Sequence, residues 1–257
     1  MPRPDWIELG EGRDRTRIRI LYEDRTVLAI DKPAGWMLVP FTWQTTRHNL
    51  AAALASSIRA RDFWARSRNL KCLRNVHRLD ADTTGILLFV KHLGAVRPYS
   101  DLFKSRQMEK LYLAVVRGVP ARAHWSCREP IGRDPHNVGR RRIDRQDGQQ
   151  AETSFTVHAT GPGRALVEAR PVTGRTHQIR LHLLHAGHPI LGDTLYGTSK
   201  TVTDPRTANS PAAPFPLALR AVALAYSDPF LRQPVRIRAP REAFLRAFGF
   251  LDAAAEP

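Results

Sequence analysis

The stretch HRLDADTTG, residues 77–85, runs directly into the apolar residues ILLFV at 86–90. The apolar residues have the length and composition of a buried strand. The polar residues before them are typical of a turn. Asp80 is therefore predicted to lie in a turn at the mouth of a strand, among cationic residues. Such a turn either presents one carboxylate for chemistry on an anionic substrate, or it uses Asp80 or Asp82 only to bond its own backbone.

Short β-rich segments recur along the chain and outnumber the helices. The predicted strands are 18–22, 26–30, 86–90, 111–116, 154–157, 165–169, 222–226 and 235–237. The predicted helices are 49–60, 99–104, 176–186 and 241–248, of which the first is capped by Asn49. Because strands and helices do not alternate regularly, the sequence predicts an α+β fold on a largely antiparallel or mixed sheet with flanking helices.

The domain organisation follows from length and from the absence of a linker-like segment. A chain of 257 residues can form one large domain or two small ones. We expect one domain over residues 18–249, with frayed tails at 1–17 and 250–257. Residues 132–150 are predicted to form a basic hairpin tip or arm, and residues 198–216 an exposed insertion.

The charge of the chain predicts a polyanionic partner. Lys plus Arg number 40 against 24 Asp plus Glu, so the net charge is 40 − 24 = +16. Such a charge attracts nucleic acid, and the basic residues are mostly Arg, which pairs with phosphates and stacks on bases. A GC-rich genome is an alternative explanation for the Arg bias, but it does not explain the excess of basic over acidic residues.

The sequence gives no indication of a membrane-spanning, secreted or disulfide-linked protein. No apolar run approaches the roughly 20 residues of a membrane span, and the N-terminus has no signal-peptide core. We therefore expect a cytoplasmic protein. Cys72 and Cys127 are too few and too isolated for a disulfide framework or a cysteine zinc site, and we expect both to be reduced.

Two further segments carry candidate functional side chains. Tyr112 lies on the predicted strand and either projects its ring into a cleft or packs as an ordinary core tyrosine. In residues 170–182, Gly174 is predicted to sharpen a turn that opens a helix. The backbone N–H groups there would face outward beside Arg175, which gives either an anion site or a solvated basic helix start. Arg180 lies on the same predicted helix.

Together these segments resemble the RNA pseudouridine synthases of the RluA type. That family has a His-Arg-Leu-Asp-x-x-Thr-Ser-Gly turn, a Lys-x-Tyr strand and a Gly-Arg-Thr-His-Gln-Ile-Arg segment. The resemblance covers roughly residues 18–231, with the motifs in the family's order. The matching residues are 20–24, 31–35, 77–85, 110–112, 174–180, 185–193 and 196–197.

The resemblance implies a single catalytic domain with a central RNA-binding cleft that isomerises uridine to pseudouridine in RNA. Asp80 would be the essential carboxylate acting on a flipped-out nucleoside, as nucleophile or as base, and no cofactor or metal is expected. Tyr112 would stack on the target base. Arg180 would keep the carboxylate ionised.

The resemblance and the basic hairpin also predict residues that contact RNA. Arg78 would either fill the place that the flipped base leaves or clamp a phosphate. The full predicted RNA- or substrate-binding set is His77, Arg78, Lys110, Arg140, Arg141, Arg142 and Arg175. The expected substrate is a structured ribosomal or transfer RNA.

The chain departs from the family's pattern at three places. Thr84 replaces the usual Ser, and Arg220 stands where a His is common. About 17 residues precede the first predicted strand, too few for the accessory RNA-binding module of many relatives. We therefore expect no accessory RNA-binding domain, and a monomer.

Two alternative functions remain open at this point. The histidines of the third segment and its neighbourhood would suit a metal-dependent nuclease if they formed a cluster: His177, His182, His185 and His188. A non-catalytic RNA-binding protein on the same fold is the other. The joint presence of Asp80, Tyr112 and Arg180 argues against it, because binding alone does not require this carboxylate.

Overall fold

The computed structural model describes residues 3–10, 15–38, 48–197 and 215–251. The chain divides into two compact units. The first unit consists of Met1–Met108 and Ala223–Ala239, and the second of Glu109–Val222 and Pro240–Pro257. The predicted insertion at 198–216 lies outside the described residues except for its last two positions, as does most of the predicted C-terminal tail. The assignment of 18–249 to one domain stays a prediction.

The first unit is built on an antiparallel sheet with three helices. The strands in its N-terminal segment are β1 (Trp6–Leu9), β2 (Thr16–Glu23), β3 (Val27–Lys32), β4 (Arg74–Asn75) and β5 (Thr84–Val90). Its helices are α1 (Leu50–Arg59), α2 (Phe63–Arg66) and α3 (Val96–Lys104). The strand order is β1-β2-β3-β5, and β4 also pairs with β5. The Asn49 side chain accepts a hydrogen bond from the Ala52 N–H, which confirms the predicted helix cap.

Part of the predicted N-terminal tail is folded. Residues 6–9 form β1, which pairs with β2, and the side chain of Ile7 is fully buried. The expectation of a frayed segment over all of 1–17 is therefore wrong at these residues. Alternating apolar and polar residues in β1 are too few to predict a strand from sequence.

The second unit contains a row of four neighbouring strands and a separate hairpin. Its elements are β6 (Glu109–Arg117), β7 (His124–Cys127), β8 (Ile131–Arg133), β9 (Arg141–Ile143), β10 (Thr153–Gly161), β11 (Arg164–Pro171), α4 (Gln178–His185) and α5 (Glu242–Ala247). The strand order is β6-β11-β10-β7. Strands β8 and β9 pair with each other as a two-stranded sheet, which confirms the predicted basic hairpin.

The chain passes from the second unit to the first along β12 (Leu219–Ser227), which pairs with β13 (Pro234–Arg238) in the first unit. Antiparallel pairing is found for β1–β2, β2–β3, β3–β5 and β4–β5 in the first unit and for β6–β11, β10–β11 and β7–β10 in the second. Helices contribute less than strands. The α+β fold predicted from the sequence is confirmed. No helix in the described part of the chain is long and apolar enough to cross a membrane.

Each unit has buried apolar residues that fix the position of its functional residues. Every residue of β5 is buried, as its unbroken apolar sequence predicts. In the second unit, Val115 and Val167 pack with Leu183 of α4 and Phe244 of α5. Helix α4 is thereby held against β6 and β11, and the side chains at its first turn are placed by this packing.

Candidate active site

The Asp80 turn is closed by its own backbone and ends in a glycine. The Thr83 N–H donates to the Asp80 carbonyl at 3.2 Å, as in a four-residue turn. Gly85 pairs with Lys32 of β3 at φ 105°, a backbone angle that strains any residue with a Cβ. Leu79 is buried, whereas Asp80 is half-buried. The predicted placement of Asp80 at the mouth of a strand is confirmed.

A buried lysine ties this turn to the loop that follows β3. Lys32 is fully buried, and its Nζ donates to the carbonyls of Pro33 at 2.9 Å, Trp36 at 3.0 Å and Ala81 at 2.6 Å. An ammonium group has three N–H donors, so all three are used. Ala81 is the residue after Asp80, and Lys32 therefore holds the backbone beside the candidate carboxylate.

The environment of Lys32 opposes its charge. Burial lowers its pKa to about 7, and the carboxylates of Asp82 and Asp80 act in the opposite direction. Proximity of these negative charges to the ammonium offsets part of the cost of burial. The buried Lys32 ammonium in the first unit thus interacts electrostatically with the two carboxylates of the Asp80 turn.

His77 and Arg78, both predicted RNA contacts, differ in their surroundings. The His77 ring stacks on Phe103 with centroids 4.6 Å apart, and its Nε2 accepts a hydrogen bond from the Leu88 N–H at 2.9 Å. This contact anchors the start of the turn to β5 and requires an unprotonated Nε2. Arg78 is exposed and forms no ion pair with any residue that the structure describes. Its predicted contact with RNA stays a prediction.

Arg180 is fixed by a carboxylate in the second unit. Its Nε donates to Asp193 Oδ2 at 2.8 Å and its Nη2 to Asp193 Oδ1 at 2.7 Å, a bidentate pair with almost no solvent exposure. Asp193 Oδ1 also accepts from the backbone N–H groups of Leu195 and Tyr196. Burial alone would raise the pKa of Asp193, but the Arg180 hydrogen bonds and charge lower it below its usual range.

Tyr196 joins this pair to the basic hairpin. Its hydroxyl bonds the Arg141 N–H and His177 Nδ1, both at 2.8 Å. The guanidinium groups of Arg180 and Arg140 lie 5.1 Å and 5.3 Å from the centre of its ring. Two of the predicted functional segments in the second unit therefore meet at one tyrosine.

At the start of α4, the Gln178 side chain bonds groups of its own unit. The Gln178 carboxamide accepts from the Arg175 N–H at 2.9 Å and from the Thr173 hydroxyl at 2.7 Å. It donates to the Glu152 carbonyl and the Thr153 hydroxyl. The helix begins at Gln178 after His177, so the Gln178 side chain takes up the Arg175 N–H that the predicted anion site would use. Anion binding by the remaining N–H groups of this helix start stays a prediction.

Arg175, Lys110 and Tyr112 also have contacts within the second unit. Arg175 donates to the Gln150 carbonyl and the Gln149 side chain, both at 3.0 Å. Lys110 Nζ donates to the Thr173 carbonyl at 2.9 Å, and burial lowers its pKa to about 8. Tyr112 is half-buried on β6 and packs against the core of this unit. The predicted RNA roles of Arg175 and Lys110 stay predictions.

The arginines of the β8–β9 hairpin are partly engaged by acidic neighbours. Arg145 forms a bidentate pair with Glu129 at 2.8 Å, and Arg142 bonds Asp144 at 3.2 Å. Arg141 is held through its backbone by Tyr196. The hairpin is thus an ordered element whose predicted RNA contacts, Arg140 to Arg142, are positioned by the rest of the unit.

The four histidines do not form the cluster that a metal-dependent nuclease requires. His182 is fully buried between the Thr153 hydroxyl and the Glu129 carbonyl, and burial lowers its pKa. His177 bonds Tyr196, and His188 bonds the Arg117 carbonyl. Among the residues that the structure describes, no group of three metal-binding side chains is suitably placed.

Arg220, which stands where the related family commonly has His, is buried in the second unit. Its Nε donates to the Pro240 carbonyl at 2.9 Å, and its guanidinium lies over the Phe215 ring. This side chain joins the beginning of β12 to the segment before α5.

Three residues with clear positioning roles were not singled out from the sequence: Lys32, Asp193 and Tyr196. Each lies within a stretch that matches the family's motifs, and this match was the signal in the sequence that could have pointed to them. Of the predicted catalytic residues, Asp80 lies on the first unit, and Tyr112 and Arg180 lie on the second.

Comparison with known proteins identifies relatives of this chain. The profile of the family described as RNA pseudouridylate synthase matches residues 26–185. The Escherichia coli K12 protein named ribosomal large subunit pseudouridine synthase C is 35% identical over 231 residues, which cover 88% of this chain and 67% of that protein.

Two solved human structures share the fold. RNA Pseudouridylate Synthase Domain Containing 4 has a TM-score of 0.70 and 26% identity, and the match covers 91% of this chain and 92% of the other. RNA Pseudouridylate Synthase Domain Containing 1 has a TM-score of 0.64 and 25% identity, covering 87% and 83%.

Proposed function

This chain belongs to the RNA pseudouridylate synthase family and is an isomerase that acts on RNA, and on that basis we propose that its substrate is the large ribosomal RNA. The observation that carries the proposal is the match to large-subunit synthases along 88% of the chain. A transfer RNA is the second candidate, and the excess of positive charge suits either molecule.

The proposed reaction moves the uracil from a C–N to a C–C bond with the ribose. The bond between ribose C1′ and uracil N1 breaks, the ring turns, and C1′ bonds to uracil C5. The proton on C5 leaves and N1 gains a proton, so no cofactor or redox partner is needed. Asp80 is the proposed catalytic carboxylate, and its roles as nucleophile and as ribose base both require the ionised form.

The other proposed residues act on the same nucleotide. Tyr112 stacks on the uracil, and stacking of about 1–3 kcal/mol offsets much of the cost of flipping a base. Arg180 supplies a fixed positive charge, and its bidentate pair with Asp193 supports this role because it limits the guanidinium to one orientation. Arg78 is the proposed contact at the vacated place in the RNA stack.

The proposed substrate also suggests where the enzyme works and in what state. In Escherichia coli, the source of the relative named above, ribosomal RNA is made in the cytoplasm, and we propose that compartment for this chain. One chain carries all the proposed catalytic residues, so a monomer suffices. Light scattering of the purified protein, with and without RNA, tests the monomer.

Substitution of Asp80 tests the proposed function. In Asp80→Asn we expect turnover to fall by on the order of 10³-fold or more, while RNA affinity changes little, because the amide keeps the shape but loses the charge. The measurement is release of tritium from C5 of uridine in a transcript of the large ribosomal RNA.

Asp82→Asn, two residues away in the same turn, is the matched control and should retain most of the activity. Wild-type turnover in Asp80→Asn would overturn the proposed role of Asp80. Modification of transfer RNA but not of ribosomal RNA by the wild-type protein would overturn the proposed substrate.

A further inference from the structure

A basic groove in the first unit lies between α1, α2 and the segment that leads into β4. Five cationic side chains line it: Arg59, Arg61, Arg66, Lys71 and Arg74. The remaining lining residues include no Asp or Glu. We refer to this surface as the α1–α2 groove. None of its lining residues is among those assigned above to catalysis or RNA binding.

The cations of the groove are not neutralised by the fold. All five are exposed, and none forms a side-chain hydrogen bond or ion pair with a residue that the structure describes. Other cations of the first unit behave differently. Glu23 binds both Arg68 and Lys91, at 2.7 Å and 2.5 Å. The groove therefore holds uncompensated positive charge on one concave surface.

Local structure explains only part of this cluster. Arg59 and Arg66 lie in the last turns of α1 and α2, where the helix dipole favours a cation. Arg61 follows α1 with a left-handed φ of 58°, a position where glycine is usual and where a side chain costs about 1 kcal/mol. Lys71 and Arg74 lie outside any helix. Helix capping therefore does not account for the positive charge at these last three positions.

The exposure of the cations indicates a polyanion rather than a small ligand. A single small anion gains little from solvent-exposed charges, because water and salt screen each pair. A nucleic acid backbone instead releases condensed counterions at every phosphate that is neutralised, so several exposed cations add up. The groove also offers Asn69 and aliphatic walls, which tolerate a sugar–phosphate chain without reading its bases.

We propose that the α1–α2 groove binds the phosphodiester backbone of the substrate RNA. This inference rests on the proposed function, because it assumes an RNA substrate. Strand β4 consists of Arg74 and Asn75, and the chain runs on from it into the Asp80 turn. RNA held in the groove is therefore held by the same segment that presents the proposed catalytic carboxylate. The groove fixes the RNA without contributing to the chemical step.

Neutralising three groove arginines tests the proposal. The variant Arg61→Gln/Arg66→Gln/Arg74→Gln is compared with Arg232→Gln/Arg236→Gln/Arg238→Gln, which removes equal charge from exposed arginines of the β12–β13 hairpin and also includes one left-handed position. The probe is a fluorescent transcript of the large ribosomal RNA, and binding is measured across a salt series. The groove variant should bind on the order of tenfold more weakly near 0.1 M salt, with a log–log salt slope smaller by about 2.

The outcomes distinguish the groove from the proposed function. If both triple variants lose RNA affinity equally, or if the groove variant keeps its affinity, the proposed role of the groove is overturned. If the groove variant loses affinity while the wild-type protein modifies no ribosomal uridine, the groove stands and the proposed substrate fails. Loss of binding to phosphatidylglycerol vesicles with unchanged RNA binding assigns the groove to a membrane surface and overturns the proposal. If the triple variant melts early, the single variants should each lower the slope by about 0.7.

Discussion

Among single residues, the Arg180–Asp193 pair is the most constrained part of the candidate site. Its guanidinium and carboxylate are both buried and joined by two hydrogen bonds. In Asp193→Asn the buried guanidinium loses the negative charge of Asp193, and we expect the free energy of unfolding to fall by about 3–5 kcal/mol. Denaturant titration measures this loss. Turnover should also fall, because Arg180 is no longer held in one orientation.

The pH dependence of the same variant has a definite sign. The pKa of Asp193 is lowered in the folded protein, so its stabilising effect is present above the unfolded pKa of about 3.9 and is lost as pH falls further. The stability gap between wild type and Asp193→Asn should therefore narrow in acid. Asp101→Asn, which affects exposed pairs with Arg97 and Lys104, is the control and should cost less than about 1 kcal/mol. If Asp193→Asn lowers the unfolding free energy no more than Asp101→Asn does, the stabilising role of the buried Arg180–Asp193 pair is contradicted.

Among the elements, Lys32 joins the end of β3 to the turn before β5. Lys32→Met leaves the carbonyls of Pro33, Trp36 and Ala81 without their donor, so we expect lower stability and a looser Asp80 turn with reduced turnover. The folded pKa of about 7 lies below the unfolded value of about 10.4. Between these values the unfolded chain binds the extra proton, so wild-type stability rises with pH relative to the variant.

Unfolding of wild type and Lys32→Met at about pH 7 and about pH 9 checks this sign. The difference in unfolding free energy should be larger at the higher pH. Lys104→Met, at an exposed helical lysine, should show no such change. A difference that stays constant or shrinks on raising the pH would mean that Lys32 is not held in the folded protein as described.

The elements themselves were largely predictable, but their connections were not. The helix cap at Asn49 and the buried strand β5 are determined by residues close by in the sequence. Hydrophobic periodicity and capping chemistry predict such local features. Lys32 and Ala81 are 49 residues apart, and Arg141 and Tyr196 are 55 apart. No local pattern distinguishes a buried lysine from an exposed one. The bonds from the Gln178 carboxamide to Glu152 and Thr153 were missed for the same reason, since these partners lie 26 and 25 residues away along the chain.

Across the whole molecule, the positive charge determines how the protein meets RNA. The net charge of +16 comprises uncompensated cations, such as Arg78 and those of the α1–α2 groove, as well as paired ones such as Arg145. Only the unpaired cations are available to displace counterions from phosphates. The number of phosphates contacted should therefore be well below the number of basic residues.

Salt dependence of wild-type binding measures that number. The logarithm of the affinity for a single-stranded RNA should fall linearly with the logarithm of salt concentration, with a slope of about −0.7 for each phosphate neutralised. A morpholino oligomer of the same sequence, which has no backbone charge, is the control and should bind weakly with almost no salt dependence. A flat response for the RNA as well would mean that stacking, not charge, supplies the affinity. If only the RNA shows a steep salt dependence, its slope gives the number of phosphates that the unpaired arginines contact. Cations already paired within the fold do not add to this number, because they release no counterions from the RNA.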